Sequence, residues 1–100
     1  MIYTLKFGGL IMRAVITVVG KDTVGILAKI SGLCAAHNVN VSDVTQTVLQ
    51  DMFCMIMMCE IDKIDCGFDI FVDEAAEIGK NNGLSVHVMH EDIFNSMHRI

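Results

Sequence analysis

Asp22, Gly25 and Asn40 are the residues of this 100-residue chain whose types and spacing best suit a small ligand. Asp22 and Gly25 stand in the run Gly20-Lys21-Asp22-Thr23-Val24-Gly25, which closes a β-branched stretch and precedes an apolar pattern of helical spacing. A helix beginning there presents backbone N–H groups that lack intrahelical acceptors, and these favour a carboxylate. Gly25 has no side chain to hold a ligand off, while Thr23, Val24 and Ile26 complete the turn. The Asp22 carboxylate can answer an ammonium group, and the Asn40 amide supplies both a donor and an acceptor. The set Asp22, Thr23, Val24, Gly25, Ile26 and Asn40 therefore suits an α-amino acid, one charge at each end. The same residues also have a purely structural use, with Asp22 or Thr23 capping the helix and Asn40 forming a turn.

No other constellation carries chemistry. His37, His87, His90 and His98 have no spacing that pairs them with a nucleophile and an orienting acid. In a strand, His87-x-x-His90 sends its two rings to opposite faces and cannot chelate. The glycine-containing run lacks the spacing and the Lys-Ser/Thr ending of a phosphate loop. The four methionines of residues 52–61 read as packing groups because no soft-ligand motif accompanies them. Cys34, Cys54, Cys59 and Cys66 include no Cys-x-x-Cys, and three lie in apolar runs, as reduced thiols do. Accordingly, no catalytic residue, metal ligand or cofactor is assigned.

The elements that must position the ligand residues follow from periodicity. Residues 14–19 are mainly β-branched, as in a strand buried on both faces, and Gly20 ends them. Ile26, Leu27, Ile30, Leu33 and Cys34 recur at helical spacing. Asn38 and Asn40 break the chain before a second strand containing Val41, Val44 and Val48. Gln50-Asp51 makes a hairpin into a central apolar strand, residues 52–61. After the polar segment 62–67, where Asp65 and Gly67 can start a helix, Phe68, Phe71, Val72, Ala75, Ala76 and Ile78 form an amphipathic stripe. Gly83 suits a left-handed stop, residues 84–89 read as a fourth strand, and Ile93, Phe94, Met97 and Ile100 as a short final helix. The order β-α-β-β-α-β is the α+β, ferredoxin-like plan: a four-stranded antiparallel sheet with two helices on one face, plus a short C-terminal helix.

Composition narrows the partners. The chain is 53 % hydrophobic and 19 % charged, more apolar than one small core can hide, so a homodimer is expected. The alternation of residues 52–59 is apolar on both sheet faces, which asks for a second subunit or another layer. The net charge of -5, with Lys and Arg scattered singly, argues against a nucleic-acid partner. No apolar window approaches the roughly 20 residues of a membrane span, so a soluble, cytoplasmic protein without a membrane partner is expected. Residues 1–11 end in Gly8-Gly9-Leu10-Ile11 and are read as a leader or appended segment before a domain of residues 12–100. An extra edge strand or dimer arm over residues 2–7 is the alternative.

Two segments, Val18-Val19-Gly20-Lys21-Asp22-Thr23-Val24-Gly25-Ile26 and Val39-Asn40-Val41-Ser42-Asp43-Val44-Thr45-Gln46-Thr47, resemble the ACT domain. The likeness runs over residues 12–100 and is nearest the small stand-alone ACT proteins related to the ACT domains of formyltetrahydrofolate hydrolase and the glycine-cleavage transcriptional repressor. It implies a ferredoxin-like regulatory module, not an enzyme, that commonly dimerises and in many members binds an amino acid at a subunit interface. The family's D-x-x-G-I/L turn falls on Asp22, Gly25 and Ile26, and its asparagine at the second strand falls on Asn40. Val24 stands where many members have proline, and Gly20 where some serine-binding members have a polar residue. The alternative function is an interaction or assembly subunit with the pocket filled by apolar side chains; an independent enzyme ranks third. The regulated partner has no signature in the chain.

Overall fold

A computed structural model describes residues 5, 6, 9, 10, 12–21 and 25–97. Strand β1 is Arg13–Lys21, helix α1 Ile26–Ala36, β2 Asn40–Leu49, β3 Met52–Glu60, α2 Phe68–Asn81, β4 Ser85–His90 and α3 Glu91–Met97. The four strands form one antiparallel sheet in the order β2-β3-β1-β4, which is the ferredoxin-like α+β plan with a short terminal helix added. Ahead of it, Leu5–Lys6 pairs with Gly9–Leu10 in a separate two-residue ladder. The rest of the expected leader, residues 1–4, 7, 8 and 11, lies outside the described residues.

Pairing of β1 with β3 runs from Arg13 opposite Glu60 to Lys21 opposite Met52. This register places Ala14, Ile16 and Val18 beside Cys59, Met57 and Met55, all 0–1 % exposed. Ile26, Ile30 and Cys34 of α1, with Phe71 and Ala75 of α2, close the core over that face. Full burial of each large apolar side chain contributes about 1.5–3 kcal/mol. The four cysteines are free: Cys34 and Cys59 sit in the core, Cys54 and Cys66 are half-buried. The contact between Cys34 and Cys59, together with burial, pushes the Cys59 thiol up.

The other sheet face is covered in part. Val15 lies on it yet is fully buried, and α3 contacts β1 and β4. Arg13 Nε donates to Glu91 Oε1 at 3.0 Å, tying the start of β1 to the start of α3. Val19, Met52 and Ile56 on the same face stay 40–42 % exposed. His87 pairs with Thr17 on this face, whereas His90 pairs with Ala14 and stacks on Phe68 at 4.4 Å, so the two rings do point apart.

Several local expectations change. Gly20 does not end β1, because the strand continues through it to Lys21, with Gly20 opposite Phe53. A Cβ at Gly20 would stand 2.2 Å from Leu84 Cδ2, so the glycine admits Leu84 instead of breaking the strand. Helix α1 begins after Gly25, which holds the cap position at φ 82° with no side-chain cap bond. Asp22 and Thr23, the expected caps, lie outside the described residues. Likewise α2 starts after an extended Gly67 without a side-chain cap, and Asp65 is engaged elsewhere. The Gln50-Asp51 hairpin and the left-handed Gly83, φ 68°, are as expected, the former with Gln50 itself at φ 58°.

Two helical glycines give a test of opposite sign. A Cβ at Gly79 would lie 2.6 Å from Val86 Cγ2 and 2.9 Å from the Leu84 carbonyl oxygen, while one at exposed Gly32 meets no described atom within 4 Å. Both alanines gain about 1 kcal/mol of helix propensity, but overpacking costs about 1–3 kcal/mol at Gly79 alone. Urea unfolding should show Gly32→Ala stabilised by about 1 kcal/mol and Gly79→Ala unchanged to destabilised by up to about 2 kcal/mol.

Candidate functional site

The β1–α1 turn is built by a strand that delivers the chain to one end of the sheet and a helix whose first buried residue, Ile26, anchors it to the core. Gly25 adopts a left-handed conformation, and its carbonyl accepts the first helical bond from Lys29 N–H at 3.0 Å. The N–H groups of Ile26, Leu27 and Ala28 consequently lack intrahelical acceptors. No acidic side chain sits in the first turn of α1 to answer its dipole. Asp22, Thr23 and Val24 lie outside the described residues.

Asn40 is at the other end of the sheet. It opens β2 opposite Glu60, which in turn pairs with Arg13 at the start of β1, whereas the turn follows the far end of β1. The 11 residues of α1 lie between the two places, a span of about 16 Å at the helical rise. Asn40 Nδ2 donates to Glu60 Oε1 at 3.2 Å, and Asn38 Nδ2 donates to the Lys63 carbonyl at 3.0 Å. With Asp62 and Lys63 these residues line an open polar cleft of about 410 Å³. Within one chain, then, Gly25 and Ile26 come together, and Asn40 does not join them.

A third constellation has no counterpart in the sequence reading. His37, at the C-terminal end of α1, has Nδ1 3.0 Å from Asp65 Oδ1 and Nε2 2.6 Å from Glu74 Oε1. The Asp65 N–H donates to the His37 carbonyl at 3.1 Å, and the ring meets Phe71 edge-on at 6.1 Å. Glu74 first, then Asp65, raise the His37 pKa above its ordinary value. Burial, followed by the carboxylates of Asp65, Glu74 and Asp69, pushes the neighbouring Cys66 thiol up. The partners are 28 and 37 positions apart in the chain, so no local pattern announces them.

The four-stranded sheet with α1 entered through a left-handed glycine is a ferredoxin-like α+β domain. The ACT-domain family model matches residues 12–88, and the chain belongs to this family of regulatory ligand-binding modules. A UPF0237 protein of Listeria monocytogenes is 45 % identical over 89 residues, covering 89 % of this chain and all of that one. Among solved structures, an ACT domain protein from Streptococcus pneumoniae superposes with TM-score 0.73 at 34 % identity, covering 84 % of this chain and 94 % of that one. A formyltetrahydrofolate deformylase from Pseudomonas syringae shares the fold, with TM-score 0.72 and 20 % identity over 80 % of this chain but 28 % of the enzyme.

The turn yields a direct prediction. With no described atom within 4 Å of a Cβ at Gly25, its requirement is conformational, since φ is 82°. Gly25→Ala should cost about 1–2 kcal/mol, the usual penalty of a left-handed L-residue, in chemical unfolding without added ligand. An unchanged midpoint would mean that the turn relaxes freely.

Proposed function

We propose that this protein is a cytoplasmic regulatory module that binds an α-amino acid between two copies of itself, with the turn at Gly25 of one copy facing the partner's Asn40. The observation that carries the reading is the placement of Gly25 and Asn40 at opposite ends of α1. A two-fold axis that sets two such helices antiparallel brings each turn to the other chain's Asn40. The geometry for this pairing is favourable: α1 packs over β2, and β2 is an edge of the sheet with no strand on its outer side among the described residues. That edge is ten residues long and carries one charged side chain, Asp43, with Val48 59 % and Leu49 70 % exposed, the kind of edge that invites a second strand. Exposed Ala28, Gly32 and Ala35 leave room for another helix to come close.

In this arrangement the ligand carboxylate takes the N–H groups near Val24, Gly25 and Ile26. The ammonium is assigned to Asp22, with Thr23 and the partner's Asn40 as the remaining candidate contacts. No acid, base or nucleophile is required, consistent with a module that regulates a protein partner instead of catalysing a reaction, and no nucleic acid or membrane enters it. No described helix is long and apolar enough to cross a membrane. An assembly subunit without ligand is the second reading. It draws on Leu84, whose side chain fills the space over Gly20 where the strand leads into the turn.

A thermal-shift screen of the amino acids separates the two. A ligand at a hundredfold excess over its Kd stabilises by about 2.7 kcal/mol, and Asn40→Ala should then weaken binding by about 1.5–3 kcal/mol in calorimetry. If no amino acid shifts the melting temperature, the assembly reading stands instead. The interface has its own test in Gly32→Arg, which keeps the monomer fold because the position is open. Sedimentation should give twice the 11.0 kDa chain mass for the wild type and the single mass for this variant. A dimer that survives Gly32→Arg places the interface away from α1.

A further inference from the structure

We propose that His37, Asp65 and Cys66 form a binding site for one zinc ion per chain, with Glu74 orienting the imidazole. One ligand atom from each of the three residues lies within 4.8 Å of the other two. A tetrahedral zinc with bonds of about 2.0–2.3 Å holds its donors roughly 3.3–3.8 Å apart. His37 Nδ1 and Asp65 Oδ1, at 3.0 Å, are already near this separation. Cys66 is adjacent to Asp65 in the segment between β3 and α2, and rotation about its side chain supplies the remaining approach. The fourth position opens to water, as in zinc sites with three protein ligands.

The surroundings of the ring suit a metal ion as well as an ion pair. A neutral imidazole has one N–H, and Glu74 at 2.6 Å from Nε2 is placed to take it. The Nδ1 lone pair then faces Asp65 Oδ1 at 3.0 Å, two acceptors that either a second ring proton or a metal ion between them reconciles. A second proton does this for the pair alone, whereas a metal ion also engages the sulfur beside them. The pattern carboxylate–imidazole–metal fixes the tautomer and raises ligand basicity. Both ligand-bearing segments are held before any ion arrives, by the Asp65 N–H bond to the His37 carbonyl at 3.1 Å and by the edge contact of the ring with Phe71. His37 is shielded while Asp65 stays open to solvent, with side-chain exposures of 19 % and 55 %, so an ion has a way in. The mixed N, O and S donors select zinc over magnesium or calcium, which take oxygen alone. Coordination releases the thiol proton of Cys66 to solvent.

The inference is independent of the amino-acid reading. Its test is titration of the chelator-stripped, desalted full chain with Zn²⁺ against a chromogenic chelator, and with Co²⁺ as a spectroscopic stand-in. One Zn²⁺ per chain and a thiolate-to-cobalt charge-transfer band are expected. Cys66→Ser should abolish the band and weaken Zn²⁺ at least tenfold, with far-UV circular dichroism unchanged. Glu74→Gln should keep the band and weaken Zn²⁺ about 10–100-fold, and Cys54→Ser should change neither. Absence of stoichiometric Zn²⁺, a band that survives Cys66→Ser, or His37→Gln binding as tightly as the wild type would overturn the site.

Discussion

The antiparallel pairing of β1 with β3 is the constraint on which the molecule depends. Nine residue pairs, Arg13 with Glu60 through Lys21 with Met52, set which side chains enter the core and which end of the sheet each loop occupies. A slip of one residue would turn Ala14, Ile16 and Val18 to the other face and expel the helices from it. The same register fixes the functional geography. It puts the starts of β2 and β1 at the same end of the sheet, on either side of Glu60, and the turn into α1 at the opposite end, so one helix length separates Asn40 from Gly25.

That separation gives the sheet edge its meaning. A single chain offers unpaired N–H groups at one end of α1 and a polar cleft around Asn40, Glu60 and Lys63 at the other. The turn lacks the Asn40 amide, and the cleft lacks the helix N–H groups. An open β2 edge beside α1, with small exposed residues along the helix, is where an antiparallel copy would join the halves. The exposed apolar residues Val19, Met52 and Ile56 lie on the sheet face away from α1 and α2, so they are not needed for that joint.

Much of this architecture was legible in the chain because periodicity reports burial. The stripe Phe68, Phe71, Val72, Ala75, Ile78 announces α2, and Gly83 its end, since only a left-handed residue fits there. The Gln50-Asp51 break locates the hairpin even without a glycine, Gln50 taking the positive φ itself. Gly20 misled for a physical reason: a glycine in a strand looks like a stop, yet its role is to leave space for Leu84, a residue 64 positions later. That Gly25 and Ile26 lie together at a helix start was legible because helix starts are local. The placement of Asn40 at the far end of α1 requires the sheet topology, and the meeting of His37 with Asp65 and Glu74 requires the packing of α1 on α2. Neither leaves a trace in local spacing.

The most direct measurement of the shared-site account is complementation between two broken subunits. Asn40→Ala and Asp22→Asn homodimers would each be titrated with the amino acid that stabilises the wild type most, then mixed, exchanged and titrated again. If each site takes its turn from one chain and its Asn40 from the other, a mixed dimer holds one intact site and one doubly altered site. The mixture should therefore recover wild-type affinity at one site per mixed dimer. Mixed dimers that form yet bind as weakly as both parents would contradict the account and place the whole site within a single chain.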